Sequence, residues 1–266
     1  MVYTPSQLPT SAELPCSDDT PVDNEDQNLL PNYLLFLLNL IWSERQDWYF
    51  GVDMAIYHTT GVSPKVPVIP DGFLSIGVPR RKPGNQSRRS YVVWEEAGIV
   101  PLWVLEMVSW TPGGEYDKKL NIYQRLGVRY YVIYNPEFWR RDGHQPLEIY
   151  QLINGQYQLQ IGEPYWFPEL GLALGRSKGS IGGIERELLA WFDQAGDRYL
   201  SGEEQAEQAQ IQVQQAQVQV QQAQAKAQAE HQARLNSIPQ LHQLGLSAEQ
   251  IAEALGLSIE VVEGQL

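Results

Sequence analysis

Up to about residue 200 the apolar residues of this chain fall into short strand-like runs and helical repeats in alternation. Beyond that point comes a Gln/Ala-rich tract, from Glu203 to about Leu235, with almost no aromatic residue. A helix is expected around Pro31 to Glu44, where Pro31 suits a first turn because its missing N–H has no partner there. Strands are expected at Trp48 to Tyr57, Val66 to Ile69, Phe73 to Ile76, Tyr91 to Trp94, Trp103 to Ser109, Tyr130 to Tyr134, Glu148 to Ile153 and Gln156 to Gln160. The last two flank Asn154-Gly155, a two-residue turn that joins them as a hairpin.

A second helix is expected over Glu115 to Leu126, because Tyr116, Leu120, Tyr123 and Leu126 recur at helical spacing and Gly127 ends it. Steps of about 100° put Lys119 between Tyr123 and Leu126 on the apolar arc and turn Lys118 to the opposite side. Lys118 is then a solvated surface charge, whereas Lys119 must meet an anion or snorkel out of the core.

In the C-terminal part, Gln-Val-Gln-Gln-Ala recurs at 212–216 and 219–223, a seven-residue spacing with a seam through Val213, Ala216, Val220 and Ala223. The Gln/Val alternation also permits a strand, and Gln richness permits disorder. Helix is favoured because Ala and Gln are good helix formers. The end, from Leu246 to Glu263, has the form of a helix-turn-helix with Ala252, Gly256 and Val262 at packing positions. A recognition helix needs basic or amide residues, and this one offers Glu260 and Glu263. It is therefore expected to serve self-association or a partner protein rather than DNA. The organisation expected is a main domain over 1–200, a helical linker or coiled coil over 201–235 and a small helical unit over 236–266.

With 266 residues, 43% of them apolar, the chain can bury one sizeable core beside this appendage. A single cysteine, Cys16, excludes an internal disulfide framework and any cysteine-rich zinc site. The N-terminus lacks a basic region followed by an apolar stretch, and the longest apolar run, Tyr33 to Trp42, is too short to span a bilayer. A cytoplasmic, non-membrane protein is the expectation. The net charge of −13 argues against a non-specific nucleic-acid coat. Arg80, Arg81, Lys82, Arg88 and Arg89 form a local exception, either a solvated basic loop or a phosphate-contacting one.

Two short pieces carry the chemistry. Asp71 closes the run Val66-Pro-Val-Ile-Pro-Asp71, and Glu106 interrupts the apolar run Leu102-Trp-Val-Leu-Glu106-Met-Val-Ser109. A carboxylate inside an apolar strand is costly unless a cation, a proton or a donor compensates it. The simplest compensation is a divalent metal shared with Asp71, plus the ammonium of Lys119. The histidines His58, His144, His231 and His242 show no paired metal spacing. Ser109 has no His partner at readable spacing. Gly179-Ser-Ile-Gly-Gly183 is too loose for a phosphate loop, and Trp166, Phe167, Trp191 and Phe192 are expected to close the core.

A Pro-Asp pair, a strand Glu and a Lys on the following helix resemble the PD-(D/E)XK nuclease superfamily, the restriction-endonuclease-like fold. More closely, the chain resembles the Uma-two family over roughly residues 14–200. The matching pieces are Leu14-Pro-Cys-Ser-Asp-Asp, Pro70-Asp71, Val104-Leu-Glu106-Met-Val-Ser109, Lys119-Leu-Asn-Ile-Tyr123 and Leu126-Gly-Val-Arg-Tyr-Tyr-Val-Ile-Tyr-Asn-Pro136. Val108 stands two after Glu106 where the superfamily has its Lys, and in this family that role moves to the helix, in agreement with Lys119. Asn135 stands where relatives often have Asp, and no function attaches to it.

The resemblance implies an α/β core with a mixed central sheet, flanked by helices and followed by the coiled-coil-like extension. It implies hydrolysis of a nucleic-acid phosphodiester, with DNA the expected substrate and Mg²⁺ or Mn²⁺ on Asp71 and Glu106. Lys119 orients the attacking water. Glu25 resembles an extra helix carboxylate that some members contribute, with Asp23 and Asp26 as rivals for that place and ordinary helix-start charge as the other reading. A homodimer is expected. The competing class is a nuclease-fold protein turned binding or regulatory module, which the acidic balance favours.

Overall fold

The computed structural model describes residues 8–16, 24–111 and 113–266, and the chain divides into two compact units, 1–202 and 203–266. The first unit opens with helix α1, Glu25–Ile41. Asn24 starts it: the side-chain oxygen accepts a hydrogen bond from the Gln27 N–H at 3.1 Å, satisfying one of the donors that a helix start leaves free. The helix thus begins and ends earlier than the expected span of 31–44. Pro31 lies buried inside it, where Leu30, Leu34, Leu37 and Leu38 pack on the core and offset the one backbone bond it forfeits.

Strands β1 (Trp48–Val52), β2 (Ile56–Tyr57), β3 (Gly72–Ile76), β4 (Tyr91–Val92) and β5 (Trp103–Met107) follow. The run expected as one strand over 48–57 is split at Asp53, whose φ of 45° breaks the extended path. Val66–Ile69 is not a strand; Val68 makes only a single bridge to Ile56. After β5 a π-helical turn, Glu115–Lys119, runs into α2, Leu120–Leu126, which Gly127 closes at φ 88°. Then come β6 (Tyr130–Tyr134), the short α3 (Trp139–Asp142), β7 (Leu147–Ile153) and β8 (Gln156–Leu159). A second, antiparallel sheet of β9 (Tyr165–Phe167), β10 (Leu172–Ile181) and β11 (Ile184–Phe192) was not among the expected strands. Gly182 and Gly183 are its hairpin turn, with φ of 59° and 75° between the paired Ile181 and Ile184.

The main sheet has six strands in the order β1-β3-β5-β6-β7-β8, and β5 and β6 pair in parallel while the other pairs are antiparallel. A parallel neighbour requires a crossover, and the segment containing α2 supplies it. Both faces of the central strands are covered, so every residue of β5 and β6 is buried. Alternation divides them. Trp103, Leu105 and Met107 join α1 and the smaller sheet in one core, where Phe167 and Trp191 also lie; Val104 and Val108 face the other side with Tyr123 and Leu126.

In the second unit α4, Gly202–Gln243, is helical across the whole Gln/Ala tract and continues past residue 235. Helices α5 (Ala248–Leu255) and α6 (Ile259–Glu263) follow, and Ile238, Ile251, Ala252 and Val262 form the buried centre. Gly256 corrects an expectation: it caps α5 at φ 62° rather than packing. Among the described residues no helix is long and apolar enough to cross a membrane.

Candidate active site

Strand alternation puts Glu106 on the face of the sheet that α2 covers, and its side chain is fully buried. Two groups of the helix meet it. Lys119 Nζ donates to Glu106 Oε2 at 2.7 Å, and Tyr123 Oη donates to Oε1 at 2.6 Å. Residues four apart share a helix face, so the pair grips both oxygens of one carboxylate. Lys119 closes the π-helical turn; its N–H bonds Gly114 O, five residues back, at 2.8 Å. Its side chain is 27% exposed, so part of it keeps contact with solvent while the ammonium holds the buried Glu106. Lys118 is exposed on the other side of the turn.

Asp71 stands just before β3. Because Gly72 pairs with Leu105, the next position along places Asp71 beside Glu106 across the two strands. Its Oδ2 accepts the Met107 N–H at 2.6 Å. Burial, reinforced by the charge of Glu106, pushes the Asp71 carboxyl up to about 8, against the pull of the Met107 N–H and Lys119. Glu106 is raised by burial too, opposed by the charge and hydrogen bond of Lys119 and by Tyr123. For Lys119, burial works downward, but Glu106 outweighs it and holds the ammonium above its ordinary value. Two carboxylates and one ammonium leave the site one negative charge in excess, which a cation or a proton would relieve.

This donor set fits a hard, hydrated cation. Among the described residues Asp71 Oδ1 carries no hydrogen bond, and each Glu106 oxygen, having taken one donor, keeps a further acceptor position. Among the described residues no group of three or more His, Cys, Asp or Glu side chains gathers as a metal cluster. Two carboxylates suit Mg²⁺, which keeps several of its waters, and not a zinc site.

Glu25 is placed differently. Its side chain is 81% exposed and stands 3.5 Å from Arg186 of β11, which holds Asp26 at 2.9 Å. Among the described residues no ion pair joins Glu25 to Asp71, Glu106 or Lys119. Asp23 and residues 17–19 of the Leu14-Pro-Cys-Ser-Asp-Asp piece lie outside the described residues. Of the basic loop, Arg88 is buried, forked onto Glu96 and bonded to the Pro79 and Arg80 carbonyls. Lys82 pairs with Glu95 and Glu96, and Arg80 stacks on Trp48. Only Arg81 and Arg89 remain exposed.

Three contributors escaped the sequence reading. Tyr123 was placed on the apolar arc, and its spacing of four from Lys119 was the available signal. The Met107 N–H has none, since any residue carries one. Glu115 is buried, accepts the Gly113 N–H with both oxygens (3.1 and 3.0 Å), and adds negative charge near Glu106 and Lys119. Among the histidines, His58 is buried on Thr60, and His144 stacks on Tyr116 while bonding Glu148.

No curated protein and no solved structure gives a significant match to this chain. The model of the Uma2 family, described as "Putative restriction endonuclease", matches residues 19–177, a span that includes Asp71, Glu106 and Lys119. By that match over more than half its length, and with a mixed α/β core consistent with the restriction-endonuclease-like fold, the chain belongs to the Uma2 family.

Proposed function

We propose that this chain is a metal-dependent endonuclease that hydrolyses phosphodiester bonds of DNA, with Asp71 and Glu106 as ligands for Mg²⁺ or Mn²⁺. A divalent ion held there supplies Lewis-acid polarisation of a phosphate oxygen and lowers the pKa of a bound water. Lys119, with one N–H on Glu106 Oε2, has two left to orient the attacking water and to meet charge growing on the phosphate oxygens. The water gives up a proton to solvent as its oxygen bonds to phosphorus, the P–O bond to the departing nucleotide breaks, and the departing oxygen leaves with that electron pair and takes a proton from solvent. Tyr123 fixes the direction of the Glu106 carboxylate through Oε1. Glu25, engaged with Arg186, is assigned no role.

The observation that carries this reading is the ammonium of Lys119 on a fully buried Glu106 that lies across the strands from Asp71. It is tested by calorimetric titration of Mg²⁺ and Mn²⁺ into the protein and into Asp71→Ala, with gel assays on supercoiled, linear and branched DNA. Uptake lost in the variant, together with cleavage by the native chain, supports the enzyme. No uptake and no cleavage favour the interaction module, which the net charge of −13 and the internal use of Arg80, Lys82 and Arg88 also support. Self-association is assigned to α4, where Val213 and Val220 of the seven-residue seam are 56% and 55% exposed.

A further inference from the structure

Trp110 is 75% exposed. A large aromatic side chain left in water is an informative exception, because its surface is usually covered by something. Its place in the chain narrows what that is. Trp110 lies in the connection between β5, which holds Glu106, and the helical turn that holds Lys119. Four residues of chain reach at most about 14 Å, so its Cα stands within about four stacked nucleotides of the Glu106 Cα.

The ring is held in position. Phe138 meets it edge-on, with centroids 5.7 Å apart and planes at 83°. The Trp110 carbonyl accepts Arg141 Nη1 at 2.9 Å, and Arg141 is itself fixed by two hydrogen bonds to Asp142 and by its place over the Phe138 ring. Arg140 beside it is exposed, stacks over Trp139 and makes no ion pair among the described residues. An open aromatic face, with an exposed guanidinium that makes no ion pair among the described residues one position along the chain from the Arg141 that holds the Trp110 carbonyl, is a combination suited to an unstacked base and a backbone phosphate.

We propose that Trp110 is a base-stacking platform for a single-stranded stretch of nucleic acid flanking the cleavage site, with Arg140 meeting its backbone. The inference rests on the nuclease reading above. A single strand, not a duplex, is the occupant because a flat ring reaches a base face only where that base has left its own stack.

The test measures binding of a short fluorescein-labelled oligodeoxythymidylate to the full chain by anisotropy, with a chelator present to prevent cleavage, beside a duplex of equal length. Trp110→Ala weakens single-strand binding roughly 5- to 150-fold, Trp110→Phe keeps most of it, and quenching of tryptophan emission by the oligonucleotide is reduced in both. Thermal melting of each variant matches the native chain because the ring is exposed. Equal affinity in Trp110→Ala, binding of duplex alone, or a change only in oligomeric mass overturns the platform. If metal uptake and cleavage persist while Trp110→Ala binds normally, the platform alone falls; if no metal and no oligonucleotide binds, the nuclease reading falls with it.

Discussion

Replacing Lys119 by Met keeps the apolar stem and removes the ammonium 2.7 Å from a carboxylate that has no exposed surface. Removing one partner of a buried pair costs about 3–5 kcal/mol when the other must stay charged. Glu106 has an escape, which is to take up a proton. Its ordinary value is 4.5, so holding that proton at pH 7 costs at most about 3.4 kcal/mol, and at pH 5 about 0.7 kcal/mol. In the variant the folded state then carries one more proton than the unfolded chain between these pH values, and its stability falls as pH rises. Relative to the native protein, Lys119→Met should lose up to about 2.7 kcal/mol more stability at pH 7 than at pH 5. Urea unfolding at pH 5, 6 and 7 in chelator measures this. The double variant Glu106→Gln/Lys119→Met, which has no carboxyl at position 106 to protonate and keeps only Asp71 as in the native chain, should show less of the excess slope. An excess slope near zero, or an equal slope in the double variant, would refute the placement of an isolated buried charge at Glu106.

Asp71 titrates in the same direction: its pKa near 8 lies above its ordinary 3.8, so metal-free stability should fall as pH rises between those values, and melting curves of Asp71→Asn should be flatter. Divalent-ion affinity should rise from pH 6.5 to 8.5 as the competing proton leaves, a trend readable by calorimetry. Tyr123→Phe removes one donor from the buried Glu106 and should cost about 1.5–3 kcal/mol in urea unfolding, with reduced cleavage. Arg88→Ala should cost about 1.5–3 kcal/mol by taking the forked guanidinium from buried Glu96, which keeps Lys82 at 2.8 Å, whereas Arg89→Ala, exposed, should leave stability within about 0.5 kcal/mol. Val213→Asp with Val220→Asp should lower the mass seen by light scattering to that of a single chain; an unchanged mass places self-association elsewhere.

Much of the site's local geometry follows from periodicity alone. Period two along Trp103–Met107 sends Glu106 to one face, and helical periodicity puts Lys119 on the apolar arc of its own helix with Lys118 turned away, an outcome that survives the π-helical form of the turn carrying both. The Asn154-Gly155 hairpin and the helical habit of the Gln/Ala tract are local in the same sense. Other features depended on competition between local signals. Asn24 outweighed Pro31 as the start of α1, and Gly182-Gly183, set aside as a phosphate loop, is the turn of a long hairpin.

What only the tertiary structure decided is which distant groups meet. Register between β3 and β5 brings Asp71 to the Met107 N–H, and the neighbouring charge of Glu106 helps raise its pKa. The docking of α2 gives Tyr123 its acceptor, and packing turns Arg88 and Lys82 inward onto Glu96 although their sequence reads as an exposed basic loop. The physical reason is range. Side-chain direction within an element is set by the backbone of that element, but register, burial and the pairing of charges depend on long-range contacts that form only when the whole sheet and its covering helices close over one another.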